Sequence, residues 1–331
     1  MRVVYFHRRP IRDVNHSVEG YFQSVRSHLP NEVEVDVAVA PFESRGFWRR
    51  LGNITKAAFT QGDINHITGD IHYVAYLLAR RRTLLTILDC VFQKNLKGWR
   101  RSAIRTLWYN LPAKRASLIT TISEFTRSEL LDLIEIDPHL VRVVPVCISD
   151  RFTRWDKPFN IDCPNILQVG TGANKNLQRL FDALEGIHCR LTIVGLLSDW
   201  HKQELAAKRI AYTNRVGLTE DEMVRVYQEA DIVTLPSTYE GFGMPIIEGN
   251  AVGRPVVTSS VASMPEVARD AACLVDPYDS KSMREGILRV SSDAEYRKRL
   301  IENGYRNQQR FRAERVARAY LTLYREIAAQ P

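Results

Sequence analysis

Acidic residues are missing from one whole stretch of this chain: none occurs between Asp89 and Glu124. The interval holds Lys94, Lys97, Arg100, Arg101, Arg105, Lys114 and Arg115 instead, interleaved with Trp99, Leu107, Trp108 and Leu111. A basic, aromatic segment of this kind, spanning residues 92–115, can rest on an anionic membrane surface, bind polyanions, or form the solvated face of a helix. It contains no recognisable nucleic-acid module, which argues against nucleic acid as the partner. Long apolar runs are also missing. No stretch approaches the ~20 apolar residues a membrane-spanning helix needs. The opening Met1-Arg2-Val3-Val4-Tyr5-Phe6 passes straight into polar residues, unlike a signal peptide. A cytoplasmic protein is expected, with the inner face of the membrane open to it as a peripheral site. Cys90, Cys147, Cys163, Cys189 and Cys273 never form a C-x-x-C pair, which points to reduced thiols rather than a disulfide framework or metal cluster. An Asp-x-Asp clamp at a suitable loop is absent too, so neither metal nor cofactor is expected.

What is present is the material of two α/β domains. A chain of 331 residues is long for one domain and comfortable for two, each with its own core. The first half alternates short β-rich runs with helical stretches: Arg2–Phe6, Glu34–Ala40, Ile64–Thr68, Thr83–Leu88, Leu118–Ile122 and Val141–Val146. Such alternation predicts a parallel sheet wrapped by helices. A polar, turn-rich stretch, Phe152 to Pro158, then reads as a linker. A second series follows at Asn165–Gly170, Cys189–Gly195, Ala230–Leu235, Pro255–Ser260 and Ala272–Val275. The expected organisation is an N-terminal Rossmann-like domain over 1–150, a second over 151–310, and a C-terminal helix over 311–331 packing one face on the body of the protein. Val316, Ala319, Tyr320 and Leu323 stand at helical spacing in that last segment. Ligands of open α/β sheets bind outside the carboxyl ends of the strands, so a cleft between two such domains is the expected active site.

The strongest local pattern follows the strand-like run Asp231 to Leu235. It reads Glu240-Gly241-Phe242-Gly243-Met244-Pro245-Ile246-Ile247-Glu248. Gly241 and Gly243 permit positive φ or close ligand approach, and Pro245 suits the first turn of a helix. A glycine loop feeding a helix N-terminus offers free backbone N–H groups to an anion. The two carboxylates suit hydrogen bonds from sugar hydroxyls; by spacing alone, a helix cap plus a solvated glutamate is an equal reading. At the first strand of the same half, Leu167-Gln168-Val169-Gly170-Thr171-Gly172-Ala173-Asn174-Lys175 repeats the strand, glycine turn and helix start. Lys175 there can supply positive charge to a diphosphate. The turn lacks both the Walker spacing and the full G-x-G-x-x-G fingerprint, so it gains weight only beside the later loop.

Together these segments resemble the donor-binding motifs of the retaining GT-B glycosyltransferases of family 4 (group 1 type), whose hallmark is a Glu, seven residues, then a Glu. The resemblance runs in order through Asn174-Lys175-Asn176, Arg215-Val216-Gly217, Met223 to Tyr227, Pro236-Ser237, Glu240 to Glu248, Gly253 to Ser259 and Pro265-Glu266-Val267. It implies an α/β fold of two doubly wound Rossmann-like domains. The implied activity is metal-independent transfer of a hexose from a UDP- or GDP-type sugar to a hydroxyl acceptor, a glycan or a lipid-linked one, as in cell-surface polysaccharide assembly. Lys175 and Glu240 would be catalytic. Gly170, Thr171, Asn174, Lys175, Val216, Gly217, Glu240, Gly241, Phe242, Gly243 and Met244 would line the donor site, with Glu248 on the ribose hydroxyls. The chain has Thr171 where many relatives carry an arginine, and Leu88-Asp89 where they often carry a His-Asp pair.

The acceptor side is expected in the first domain, with His16, His72 and Asp89 as candidates. His16 and Glu19 can bind the acceptor or cap the following helix; His72 can stand in for the missing histidine or be a satisfied structural residue. Two further readings share these features: a nucleotide-sugar epimerase or a phosphorylase of the same architecture, and a non-catalytic nucleotide-sugar or polyanion-binding protein.

Overall fold

The structure, a computed structural model, describes residues 1–9, 17–91 and 98–330. The chain divides into two compact units. Unit 1 comprises Met1–Cys147 with Ala313–Pro331, and unit 2 comprises Ile148–Arg312. The crossing therefore falls at 147/148, three residues before the expected boundary.

Unit 1 is a six-stranded, all-parallel sheet of β1 (Arg2–His7), β2 (Glu34–Val39), β3 (Ile64–Ile67), β4 (Thr83–Ile87), β5 (Leu118–Thr121) and β6 (Val141–Val143), in the order β2-β1-β3-β4-β5-β6. β3, β4 and β5 are buried along their whole length, as continuous apolar runs in a covered parallel sheet should be. The C-terminal helix Ala313–Ala328 belongs to this unit and buries Val316, Tyr320, Leu323, Tyr324 and Ile327. Its tyrosines enter a buried polar chain. Tyr324 Oη lies 2.5 Å from Tyr5 Oη and 2.7 Å from His66 Nδ1, His66 Nε2 lies 2.7 Å from Thr86 Oγ1, and Tyr21 donates to Tyr320 at 2.9 Å. Every member is satisfied, which is the condition under which a polar network can sit in a core.

Unit 2 holds β7 (Asn165–Val169), β8 (Arg190–Val194), β9 (Ala211–Arg215), β10 (Ile232–Leu235), β11 (Val256–Ser259) and β12 (Cys273–Val275), all parallel, in the order β9-β8-β7-β10-β11-β12. β9 has no counterpart in the five strands expected from sequence. It is an edge strand whose residues are almost all exposed, so it carries no apolar run to betray it.

The strand order reverses between β1 and β3 in unit 1, and between β7 and β10 in unit 2. These are the topological switch points, where diverging loops open a crevice at the carboxyl ends of the strands. In unit 2 the loops concerned are those after β7 and β10, which carry Lys175 and Glu240.

Candidate functional site

After β7 the chain turns at Gly170, whose φ of +89° an L-residue rarely adopts, and its N–H bonds Val194 O at 2.8 Å. A short 3-10 turn, Ala173–Lys175, follows, and Asn176 sits in the left-handed region at φ +60°. Asparagine is among the few non-glycine residues found there. Its amide fixes the turn by donating to Pro236 O at 3.0 Å and Pro277 O at 2.6 Å. The turn is thus tied to the loop after β10. Thr238 N–H donates to Asn174 O at 2.9 Å, and the Asn174 amide returns a bond to Tyr239 O at 2.9 Å.

These ties bring Lys175 and Glu240 together. Lys175 Nζ lies 2.6 Å from Glu240 Oε1, which also accepts from Ser237 Oγ at 2.7 Å and Asn174 Nδ2 at 3.2 Å. Both side chains are mostly buried, at 19% and 15% exposure, so the pair interacts more strongly than a surface ion pair. The Glu240–Gly243 loop is braced from below by Ser263, whose hydroxyl reaches Glu240 O at 2.9 Å and Phe242 O at 2.8 Å. Of the two glycines that permit positive φ or close ligand approach, Gly243 takes positive φ (+104°) and Gly241 does not. Gly243 is the left-handed N-cap of the helix Met244–Val252, with Pro245 in its first turn. No side chain caps that end; Pro245 carries no N–H, and Ile246 N–H donates back to Gly243 O at 3.0 Å.

That helix is apolar all round and buried: Gly249 lies so close to the sheet that a Cβ there would meet Val256 Cγ2 at 3.0 Å and Val233 Cγ2 at 3.1 Å. It fixes Glu248, whose Oε2 accepts a short hydrogen bond from Tyr227 Oη. Burial pushes the Glu248 carboxyl up to about 7, against the Tyr227 bond and the positive charge of Lys175, which lower it. Neither glutamate is a solvated helix residue.

The other residues expected at the donor site lie in these loops or the neighbouring ones. Thr171, standing where an arginine is common, turns its hydroxyl to Leu196 O at 2.8 Å and so braces the loop after β8. Val216 and Gly217 follow β9, one loop further along the same sheet end, and Val216 is 55% exposed. Phe242 packs edge-on against Phe311, with ring centroids 5.4 Å apart. Met244 is half-buried at the helix start. Tyr227, Ser263 and Asn176 complete the geometry; sequence reasoning gave them no role, because positioning residues carry no charge or spacing of their own to mark them.

In unit 1 a separate cavity of about 250 Å³ opens at the carboxyl ends of β1, β3 and β4, at the switch point. Arg8, Glu19, Asp70, His72, Leu88 and Asp89 are in its wall. Arg8 bridges Glu19 at 3.2 Å and Asp70 at 3.7 Å. Glu19 is therefore an ion-pair partner within the helix Ser17–Ser27. His72 is buried with Nδ1 on Trp108 O at 2.9 Å, and burial holds its pKa below the ordinary value, so the ring is neutral. Asp89 accepts from Val91 N–H at 3.0 Å. His16, Lys94 and Lys97 lie outside the described residues.

Residues 149–307 match the profile of the family described as glycosyl transferases group 1. Unit 2 carries that family's pattern. The match covers almost all of unit 2 and so includes both loops of the Lys175–Glu240 pair. Among relatives by sequence, the O-antigen chain mannosyltransferase B of Escherichia coli is 29% identical over 63% of this chain and 61% of its own length. The MMP α-(1→4)-mannosyltransferase of Mycolicibacterium hassiacum is 26% identical over 71% and 61%. The chain thus spans about three-fifths of these relatives. In solved structures the whole chain resembles a sucrose-phosphate synthase of Thermosynechococcus elongatus, with a TM-score of 0.79, 17% identity and coverage of 99% of both chains. The fold is GT-B.

Proposed function

We propose that this protein is a retaining, metal-independent glycosyltransferase that moves a hexose from a nucleoside diphosphate sugar to a hydroxyl on a glycan or lipid-linked acceptor. The observation that carries the reading is the Lys175–Glu240 pair at the switch point of unit 2, next to a helix N-terminus that starts at Gly243 without a side-chain cap. A diphosphate placed there meets one ammonium and the positive end of the helix dipole, the combination that stabilises charge on a leaving phosphate. Glu240 holds Lys175 in place and offers its carboxylate to sugar hydroxyls. Glu248, fixed by Tyr227, does the same for the ribose. With Thr171 turned away to Leu196, phosphate neutralisation rests on Lys175 and the helix dipole. The acceptor hydroxyl is assigned to the unit 1 cavity, and the basic segment 92–115 to an anionic membrane that bears the acceptor. Both of these relatives are named as mannosyltransferases, which makes a nucleoside diphosphate mannose the first donor to try.

The test is a panel of nucleoside diphosphates and their sugars screened for thermal stabilisation, since a ligand that binds the folded state raises its apparent Tm. One donor class should raise Tm in wild type and fail to do so in Lys175→Ala. Turnover of that donor unchanged in Lys175→Ala and Glu240→Ala would remove the site. Release of a converted sugar without acceptor would move the reading to an epimerase.

A further inference from the structure

The helix Phe47–Ala58 of unit 1 packs Ala57 and Ile54 on the core and buries Asn53, yet leaves its largest apolar side chains outside: Phe47 is 71% exposed, Trp48 78% and Leu51 39%, and Phe59, just past its end, is 87% exposed. Exposed aromatic surface of this extent marks a contact site rather than ordinary surface.

Charge tells what it contacts. Between Glu43 and Asp63 the sequence holds Arg45, Arg49, Arg50 and Lys56 and no acidic residue. Glu43 itself lies 3.9 Å from Arg49, an exposed pair worth little. The neighbouring stretch from Gly98 to Lys114 repeats the composition, with Trp99 76% and Leu107 52% exposed among Arg100, Arg101, Arg105 and Lys114 and no acidic residue.

The two stretches are in contact. The Arg50 guanidinium lies over the rings of Tyr73, at 5.9 Å, and Trp108, at 4.9 Å, and donates twice to Ser44 O. Asn53 Nδ2 donates to Phe42 O and Tyr73 Oη, both at 2.9 Å, and Tyr76 donates a short bond to Leu107 O. Phe47 and Trp48 are therefore presented by a fixed helix. Because that helix follows β2, its N-terminal turn stands at the carboxyl end of the sheet, the end where the unit 1 cavity opens.

We propose that the helix Phe47–Ala58 inserts into an anionic lipid bilayer, with Phe47 and Trp48 at the headgroup level, while the basic residues of 98–114 form a second contact beside it. Tryptophan and phenylalanine flanked by arginine are the composition of an interfacial anchor, and the scarcity of acidic side chains fits a negative surface. The inference rests on the membrane reading of segment 92–115 and adds to it the element that penetrates.

The experiment uses vesicles of phosphatidylglycerol and phosphatidylcholine, with phosphatidylcholine alone as the neutral control, and reads cosedimentation and tryptophan quenching by brominated lipid. Wild type should bind the anionic vesicles and be quenched. The double variant Phe47→Ser, Trp48→Ser should lose binding on the order of tenfold while keeping its circular dichroism and Tm. Trp48→Phe should keep most of the binding and lose most of the quenching. Equal binding by wild type and the double variant, with loss only in Arg100→Gln, Arg101→Gln, would overturn this inference and leave the segment 92–115 reading standing. Failure of wild type to bind, equal binding to neutral vesicles, or binding only to a soluble polyanion such as heparin would overturn both.

Discussion

Lys175 and Glu240 stand 65 residues apart in sequence, yet the ammonium and the carboxylate meet at 2.6 Å on adjacent loops of unit 2. Each holds the other where a charged ligand can be met, so the two side chains work as one group. Lys175→Ala should lower kcat by about 10²–10³, the range for removing one preorganised charge or donor at a reacting centre. Glu240→Ala should cost a comparable factor, and the double variant no more than the worse single one, because each removes what the other supplies. Steady-state kinetics on the two single variants and the double variant close the cycle. Additive losses would mean that the residues act separately.

Glu248 carries a second, pH-readable consequence. Its carboxyl is raised from 4.5 to about 7 chiefly by burial. A folded-state value above the unfolded one means that the native protein holds the proton longer. The Glu248 contribution to stability is therefore greatest below about 4.5, falls as pH rises toward 7, and levels above it, by roughly 3 kcal/mol at most. The difference in unfolding free energy between wild type and Glu248→Gln in denaturant titrations should carry this slope. With Glu248 on the ribose as proposed, donor affinity should run the other way, rising as the carboxyl ionises. Tyr227→Phe removes a bond that favours the ionised form, so the midpoint of the affinity curve should move to higher pH. A midpoint that does not move would detach Tyr227 from donor binding.

The sheets and their order of motifs were legible because buried parallel strands are written as apolar runs bounded by turns. β9 was not, since an exposed edge strand needs no apolar run. Of the candidate site, Lys175, Glu240 and Glu248 were legible, because they bear charge at marked spacings. What holds them was not. Ser263 braces Glu240 from 23 residues away, Tyr227 reaches Glu248 from 21 away, and Asn176 joins three segments through one amide. Contacts of this kind arise from the fold and leave no local pattern. The helix Phe47–Ala58 has no counterpart among the sequence expectations, because nothing local to Phe47, Trp48 and Leu51 says which way they face.

His7 gives unit 1 the opposite slope. Arg26 Nη1 donates to its Nε2 at 2.8 Å, so the proton sits on Nδ1, which faces Thr68 Oγ1 at 2.8 Å; the Thr68 hydroxyl passes its own proton to Phe6 O at 2.9 Å. Burial first, then Arg26, press the ring down to about 4. The unfolded chain takes up this proton below about 6.5, so stability is full above that pH and is lost as pH falls toward 4. His7→Gln can keep both hydrogen bonds without titrating. The difference in unfolding free energy between wild type and this variant should change by up to roughly 3 kcal/mol across the window. A flat difference would show that the ring is not held neutral.

Gly170 tests whether Lys175 must be held rather than merely present. A Cβ at this position would lie 2.7 Å from Lys175 Cε and 3.3 Å from its Cγ and Cδ, so Gly170→Ala pushes the lysine chain off the turn. The substitution also places an L-residue at φ +89°, which carries a backbone cost of about 1–2 kcal/mol. Gly186 separates the two effects. It has φ +73° and nothing within 4 Å of an added Cβ, so Gly186→Ala bears the backbone cost alone. Both variants should lose a similar Tm. Gly170→Ala alone should lose donor-induced stabilisation and about tenfold or more in kcat/KM, since a misplaced charge at the reacting centre is penalised steeply. Equal kinetic losses in the two variants would assign the effect to the backbone, whereas wild-type kinetics in Gly170→Ala would mean that Lys175 finds its place without the glycine.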